Sequence, residues 1–309
     1  MRQEPVIGPK VYSEEWWKAR QFCFGASEAA AICGLSRWQQ PLSVYESKRN
    51  YAKFNNPSTE AQRRGHRFEP VILEWYTEMR EGHIHLPPML IHPKHDFMSA
   101  SPDALWTKEK AGNLPWSYSF DYIPVDAKTT SHSGEFGESG TDDIPQEYVM
   151  QAQQQIAVTD APYCEFPVLF PGYDLKIYKV DRSDTLINLI IEAESEMLER
   201  IRNEDPPEPN WQHPKTYELI RAVHGVSGKT VQMSDFSTNL WEENELLGKQ
   251  ISELKKKQDF NKAKILHEMG DAGVGVMTDG RQLVRKVVKR EARNVKASEY
   301  TSLRCKKNF

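Results

Sequence analysis

Residues 101–128 read SPDALWTKEKAGNLPWSYSFDYIPVDAK. The stretch opens on Ser101-Pro102-Asp103 and closes on Asp126-Ala127-Lys128. In a strand, successive side chains alternate between faces, so Asp126 and Lys128 point the same way. A hard divalent cation such as Mg2+ takes carboxylate oxygens, and Asp103 and Asp126 are able to share one. Lys128 then lies beside a water that the ion acidifies, with charge on a phosphorane offset by the same ion. That is the chemistry of a phosphodiester-cutting centre. The competing reading is a pair of strand carboxylates with a lysine in a surface salt bridge. Pro-Asp followed by Asp-x-Lys does not by itself choose between them.

The 309-residue chain is long enough for one large domain, or a main domain with a smaller one, and for a sizeable core. Its net charge of −4 excludes a generally basic protein, so any contact with nucleic acid has to be a local patch. Cys23, Cys33, Cys164 and Cys305 are far apart with no CxxC spacing, which argues against zinc and for reduced, buried thiols. The opening MRQEPVIGPK has no apolar signal core, and no run is long enough to span a bilayer. The expectation is a cytoplasmic protein without a membrane partner.

Working outward, residues 12–20 suit a short helix capped by Ser13 ahead of Glu14-Glu15-Trp16-Trp17. Ser27 then caps a second helix through Ala29-Ala30-Ala31-Ile32. A helix N-terminus with a hydroxyl binds anions, and Arg20 is close in sequence. This is either a DNA-phosphate pocket or plain capping plus a surface arginine. Residues 50–58 read as a polar loop and residues 59–80 as a helix. Glu69 on that helix is either a solvated rim residue or a metal ligand facing the strand carboxylates. Pro70 behind it marks a kink or an early turn. His83, His85, His92 and His95 share no helix face and take no metal role.

Residues 97–100 form the strand that delivers Asp103, residues 114–122 an aromatic-rich insertion, and residues 123–127 the strand that delivers Asp126. Residues 131–141, rich in Gly, Ser and Glu, read as a mobile lid or strand-positioning loop. A helix opens near residue 144. In it Gln151 and Gln155 are one turn apart and Gln153 lies nearer the opposite face. One glutamine turned inward could hold a water or a phosphate oxygen. Strands at 164–170 and 175–180 flank the turn Pro171-Gly172-Tyr173-Asp174. A helix over 184–202 ends before Pro206-Pro207-Glu208-Pro209, which puts the boundary between a core, residues 1–210, and an extension, residues 211–309.

Five blocks now stand in order: Trp17 with Gly25-Ala26-Ser27-Glu28-Ala29; Arg64-Gly65 with Glu69; Ser99-Ala100-Ser101-Pro102-Asp103; Asp126-Ala127-Lys128; and Tyr148-x-x-Gln151-x-Gln153. Together they resemble the YqaJ-type viral recombinase nucleases, the group of phage lambda exonuclease within the PD-(D/E)xK superfamily. The resemblance spans about residues 12–210. It implies an α/β fold with a restriction-endonuclease-like core, a mixed sheet flanked by helices. It also favours the functional readings of Arg20, Ser27 and Glu69.

The resemblance implies residue roles as well. Asp103 and Asp126 would bind the metal with the Ala127 carbonyl, and Glu69 would support a second ion. Lys128 would orient or deprotonate the attacking water. Gln151 or Gln153 would complete the site. Arg20 and Ser27 would hold a terminal 5′ phosphate, in a pocket shared with Trp17 and Ser101. Asp126 stands where the family usually has Glu, and Ala104 where it usually has Gly; neither change removes a functional group. Some related nucleases hold an iron–sulfur cluster, but the tight C-terminal cysteine trio is missing here.

The implied function is a Mg2+-dependent (Mn2+ as the alternative), ATP-independent 5′→3′ exonuclease on double-stranded DNA ends. It would leave 3′ overhangs for a single-strand annealing protein in phage-type recombination. A homo-oligomer, in the form of a ring trimer, follows from the same resemblance. The rivals are a restriction- or nicking-type endonuclease on the same fold and a non-catalytic DNA-binding protein. In the extension, residues 236–269 read as a long charged helix and residues 274–288 as a hairpin turning at Asp279-Gly280. Residues 281–307 hold ten Lys/Arg against two Glu. They form either a solvated satellite or a basic module gripping duplex DNA.

Overall fold

The structure, a computed structural model, describes residues 4–50, 59–108, 122–224 and 228–287. The loop at 51–58, nearly all of the aromatic insertion, Cys305 and most of the basic C-terminal stretch lie outside the described residues. By contact the chain divides into two units, residues 1–224 and 225–309.

The first unit carries two mixed sheets. One has the order β1 (Val6–Ile7), β4 (Leu90–Ile91), β5 (Met98–Ala100), β2 (Phe24–Gly25). The other has the order β10 (Asp174–Asp181), β9 (Tyr163–Phe170), β7 (Tyr122–Val125), β6 (Ala104–Thr107), β3 (His83–His85), with β8 (Lys128–Thr129) also pairing β9. Among these pairs, β2–β5, β7–β9 and β8–β9 are parallel. Asp103 occupies the turn by which the chain leaves β5 in one sheet and enters β6 in the other.

Seven helices belong to the described part of this unit: α1 (Glu14–Ala19), α2 (Ala29–Ile32), α3 (Pro41–Arg49), α4 (Glu60–Arg80), α5 (Gln146–Thr159), α6 (Asp184–Asn203) and α7 (Thr216–Val223). β9 shows why two of them sandwich the larger sheet. Its side chains alternate by two. Phe166, Val168 and Phe170 share a core with Met150 and Ile156 of α5. On the other parity, Leu169 packs with Ile72 of α4, and the Glu165 side chain accepts a hydrogen bond from Tyr76 of α4. Each fully buried apolar side chain of this kind stabilises the fold by about 1.5–3 kcal/mol. The observed fold is therefore α/β, with mixed sheets flanked by helices.

Residues 210–224 lie with this unit. Gln40 donates to Thr216 Oγ1 at 2.8 Å and accepts the Asn210 N–H at 2.7 Å. Leu219 shares a core with Leu42, Tyr45 and Met197.

Three local expectations change. Ser27 caps nothing: it is exposed, Ala26–Glu28 is a 3-10 turn, and Glu28 takes the capping role by accepting the Gly25 N–H at 2.7 Å. The glycine-rich segment after the site is pinned. Gly140 N–H and Ser139 Oγ both donate to the Ile177 carbonyl, at 2.8 and 3.1 Å, and Arg37 grips Glu135 with two bonds. The strand expected to carry both Asp126 and Lys128 is interrupted after Val125. Register against β9 is kept across the gap, Val125 opposite Glu165 and Lys128 opposite Val168, so the two side chains still meet.

The second unit contains α8 (Asp235–Met269), capped by Ser234, and a hairpin of β11 (Val274–Val276) and β12 (Gln282–Val284). Gly280 sits at φ +84° in its turn, the left-handed region that glycine enters without a Cβ clash.

One buried carboxylate among the described residues of the first unit is unsatisfied. Glu194 on α6 is fully buried and neither carboxylate oxygen has a hydrogen-bond partner of good geometry. Burial, and then the charge of Glu28, push its carboxyl well above the usual range, against the pull of Lys48 and the Gln154 side chain. A raised folded-state value means stability that is complete below the ordinary carboxylate pKa and lost as pH rises through the folded value. Glu194→Gln is therefore expected to raise the melting temperature more at pH 8 than at pH 5. Equal shifts at both pH values, measured by thermal denaturation, would contradict this assignment.

Candidate active site

The turn after β5, the β7–β8 junction, α1, α3, α4 and α5 converge on a cleft of about 1050 Å³. Asp103, Asp126, Lys128, Gln151 and Glu69 line it, as do Arg20, Ser27, Trp17 and Ser101.

Asp126 is the most constrained of these groups. It is 2% exposed, and a buried carboxylate needs partners on every side to stay ionised. Its N–H donates to the Glu165 carbonyl at 3.0 Å. Gln151 donates to its Oδ2 and Gln155 to its Oδ1, both at 3.0 Å. The Lys128 ammonium pairs with the same Oδ2 and lies 5.3 Å from the Tyr148 ring centre and 5.8 Å from that of Phe166. Burial pulls that ammonium down, but the charges of Asp126 and Asp103 outweigh it and hold Lys128 above the usual lysine range.

Asp103 joins the pair through the backbone: its Oδ2 accepts the Ala127 N–H at 2.7 Å. Burial, then the charge of Asp126, drive its carboxyl well above the usual range, with Glu69 adding to the rise and Lys128 opposing it. Negative charge therefore exceeds the fixed positive charge at this point. Among the described residues, no three His, Cys, Asp or Glu side chains gather closely enough to cage an ion. Glu69 is turned to His66, 3.6 Å away, and acts on Asp103 by charge. The donor set is thus two carboxylates beside an excess of negative charge, which suits a hard divalent cation.

The second half of the cleft is cationic. Lys48, with a side chain 5% exposed, donates to the Arg20 and Cys23 carbonyls and to Glu28, at 2.8–2.9 Å. Arg20 lies 3.5 Å from Glu28 and over the Trp16 ring at 5.0 Å. It lies flat against Gly25, where a Cβ would meet the guanidinium at 3.1–3.2 Å. Ser101 accepts from Trp16 Nε1 at 3.2 Å, and Trp17 packs edge-on to Trp16. Tyr12, at φ 66°, contacts His66 Nδ1 through its hydroxyl at 3.3 Å. Burial, and then the charge of Glu69, push that hydroxyl up to about 12.

The structure thus gathers the acids, the lysine, Gln151 and the anion-pocket residues into one cleft. Gln153 is the exception. It donates to the Asp181 carbonyl and accepts the Ser183 N–H, both at 2.8 Å, on the far side of α5. Gln155 takes its place, and its position one helical turn after Gln151 is the sequence signal for it. Lys48, Tyr12 and His66 have no local signal, because only packing brings them here.

Residues 15–162 match the sequence model of the YqaJ-like viral recombinase domain. All the acids of the cleft lie inside that stretch. Over 268 residues the chain is 26% identical to protein YqaJ of Bacillus subtilis (strain 168), covering 85% of this chain and 80% of that protein. An alkaline exonuclease from Laribacter hongkongensis shares 20% identity at a TM-score of 0.44, over 62% of this chain and 94% of that one. A phage-related exonuclease from Haemophilus somnus 129PT shares 14% identity at a TM-score of 0.38, over 59% of this chain and 96% of that one.

The two glutamines hold the Asp126 carboxylate in orientation. Groups that hold a ligand in place typically matter by about 10–100-fold in metal affinity. For a divalent cation held between Asp103 and Asp126, Gln155→Leu is expected to weaken Mg2+ binding by about that factor in a calorimetric titration, whereas Gln153→Leu leaves it unchanged.

Proposed function

We propose that this chain is a divalent-metal-dependent deoxyribonuclease that digests duplex DNA from its 5′ ends and leaves 3′ single strands for an annealing protein. The observation that carries the reading is the Asp103–Asp126–Lys128 cluster at one end of a cleft whose other end is cationic. A phosphodiester bound there meets cation-binding carboxylates and a charge-stabilising ammonium together with a site for its own terminal charge.

Asp103 and Asp126, with the Ala127 carbonyl, are the proposed metal ligands, and Glu69 supports them by charge or through a second ion. When bound, Mg2+ supplies Lewis-acid activation of water and stabilises charge on the phosphoryl oxygens. Lys128, held as an ammonium by the two aspartates, orients the attacking water and offsets charge on the phosphoryl oxygens. Gln151 and Gln155 keep Asp126 oriented. Arg20, Ser27, Ser101 and the nearby Trp17 fix the terminal phosphate, which converts random encounters into an oriented end complex. A ring of three copies would keep the product strand captive. The first unit, through residue 224, would act as the nuclease core, and the residues beyond it as an accessory extension.

The test is a time course on three substrates, with and without Mg2+: linear duplex with a 5′ phosphate, the same duplex with a 5′ hydroxyl, and closed circular DNA. The expected result is Mg2+-dependent loss of the linear 5′-phosphorylated strand and an intact circle. Cutting of the circle would instead establish an endonuclease. Asp103→Ala is expected to abolish digestion while DNA binding is retained. An inactive wild-type chain that still binds ends would identify a non-catalytic binding protein.

A further inference from the structure

Each of the other helices in the described residues buries at least one side chain, but the 35-residue α8 buries none. Its apolar residues are nevertheless ordered. Leu240, Leu247 and Leu254 recur every seven residues, and Ile251 and Ile265 occupy the complementary position of the same repeat together with Asn244 and Gln258. In heptad notation the leucines are d positions and the isoleucines are a positions, the spacing that makes a continuous seam on a slightly supercoiled helix. Nothing else in its own unit among the described residues covers the seam: Leu240 is 49%, Leu247 48%, Ile251 67%, Leu254 66% and Ile265 41% exposed.

Charge indicates what covers it. Residues 235–253 of the helix hold five acids and one lysine, whereas residues 254–269 hold five lysines and two acids. A parallel pair would stack like charge on like charge and place Lys257 against Lys262 of the second copy. An antiparallel pair joins acidic half to basic half. It also matches most of the core layers: Ile251 meets Leu254, Leu240 meets Ile265, and Asn244 meets Asn261 of the second copy, while Leu247 meets Gln258. Glu243 then flanks Lys264. The facing asparagines favour this register, because a slip of one heptad sets them against Leu254 and Ser237, or against Glu268 and Ile251.

We propose that α8 is an assembly helix that pairs with α8 of a second copy of this chain as an antiparallel two-stranded coiled coil. The pairing involves the second unit alone and is independent of the chemistry proposed for the cleft.

Cross-linking of the full-length chain carrying Asn244→Cys and Asn261→Cys tests it. Within one helix those positions are 17 residues apart, about 25 Å at the α-helical rise. A bis-maleimide shorter than that separation therefore joins them only between copies, and mass spectrometry separates the product from links through native cysteines. The expected product is the 244–261 inter-chain peptide. A dominant 244–244 peptide would show a parallel pair and overturn the proposal. Absence of an inter-chain link at these positions would overturn it too, since another partner or residues 288–309 would then cover the seam. Charge exchange gives a second reading by sedimentation. Glu243→Lys should weaken self-association, and adding Lys264→Glu should restore it; failure to restore contradicts the antiparallel register. Leu247→Glu with Leu254→Glu should remove the cross-link and weaken association by at least about a hundredfold, with helical circular dichroism retained.

Discussion

The buried carboxylate of Asp126 constrains everything around it. An anion removed from water to this extent is tolerated only with charge and hydrogen bonds on all sides. The chain supplies them from two directions: the amides of Gln151 and Gln155 from α5, and the ammonium of Lys128 from two residues downstream, while the Glu165 carbonyl of β9 accepts the Asp126 backbone N–H and fixes the main chain. Four glutamines stand between residues 151 and 155 of α5. In an ordinary core they would be destabilising. Here Gln151 and Gln155 hold Asp126, Gln154 donates to the Phe24 and Ser99 carbonyls, and Gln153 ties the helix to the start of α6.

The opposite face of β9 reinforces the same point. Glu165 presents its carbonyl to Asp126, and its side chain is clamped from α4 by Tyr76 at 2.6 Å and by Arg80 at 2.9–3.0 Å. Burial, and then the charge of Glu165, hold the Tyr76 hydroxyl well above the usual range, so it remains a proton donor to that carboxylate. Glu69 lies seven residues before Tyr76, two turns along the same helix. The clamp that fixes the sheet behind Asp126 therefore also sets where Glu69 enters the cleft. Substitutions at Arg80 or Tyr76 would act on the site through position, without lining it.

The cleft and α8 illustrate two ways of handling charge. In the cleft, opposite charges are buried close together and shift one another's proton affinity. Burial raises Glu28, yet Lys48 and Arg20 pull it below the usual range. Along α8 the charges are exposed and segregated by half. There they contribute little to the stability of one chain, and their segregation matters only once a second helix is present.

By itself the sequence determined the element types, the long helices, the β9–β10 hairpin and the identity of the two aspartates and the lysine. Those follow from period-2 and period-3.6 patterning and from residue chemistry, which are local. It also carried, in ordered blocks of residues, the resemblance to the YqaJ-like viral recombinase domain whose sequence model residues 15–162 match. Tertiary structure decided which glutamine faces Asp126, since Gln151 and Gln153 are equally polar in sequence and differ only in the side of α5 that meets β7. It decided that Glu28, not Ser27, caps its turn, because Lys48 and Arg20 come from elsewhere to hold that carboxylate. It also decided that residues 210–224 lie with the first unit, through bonds from Gln40 some 170 residues away. Contacts between distant segments depend on the packing of the whole core, and no short window of sequence carries that information.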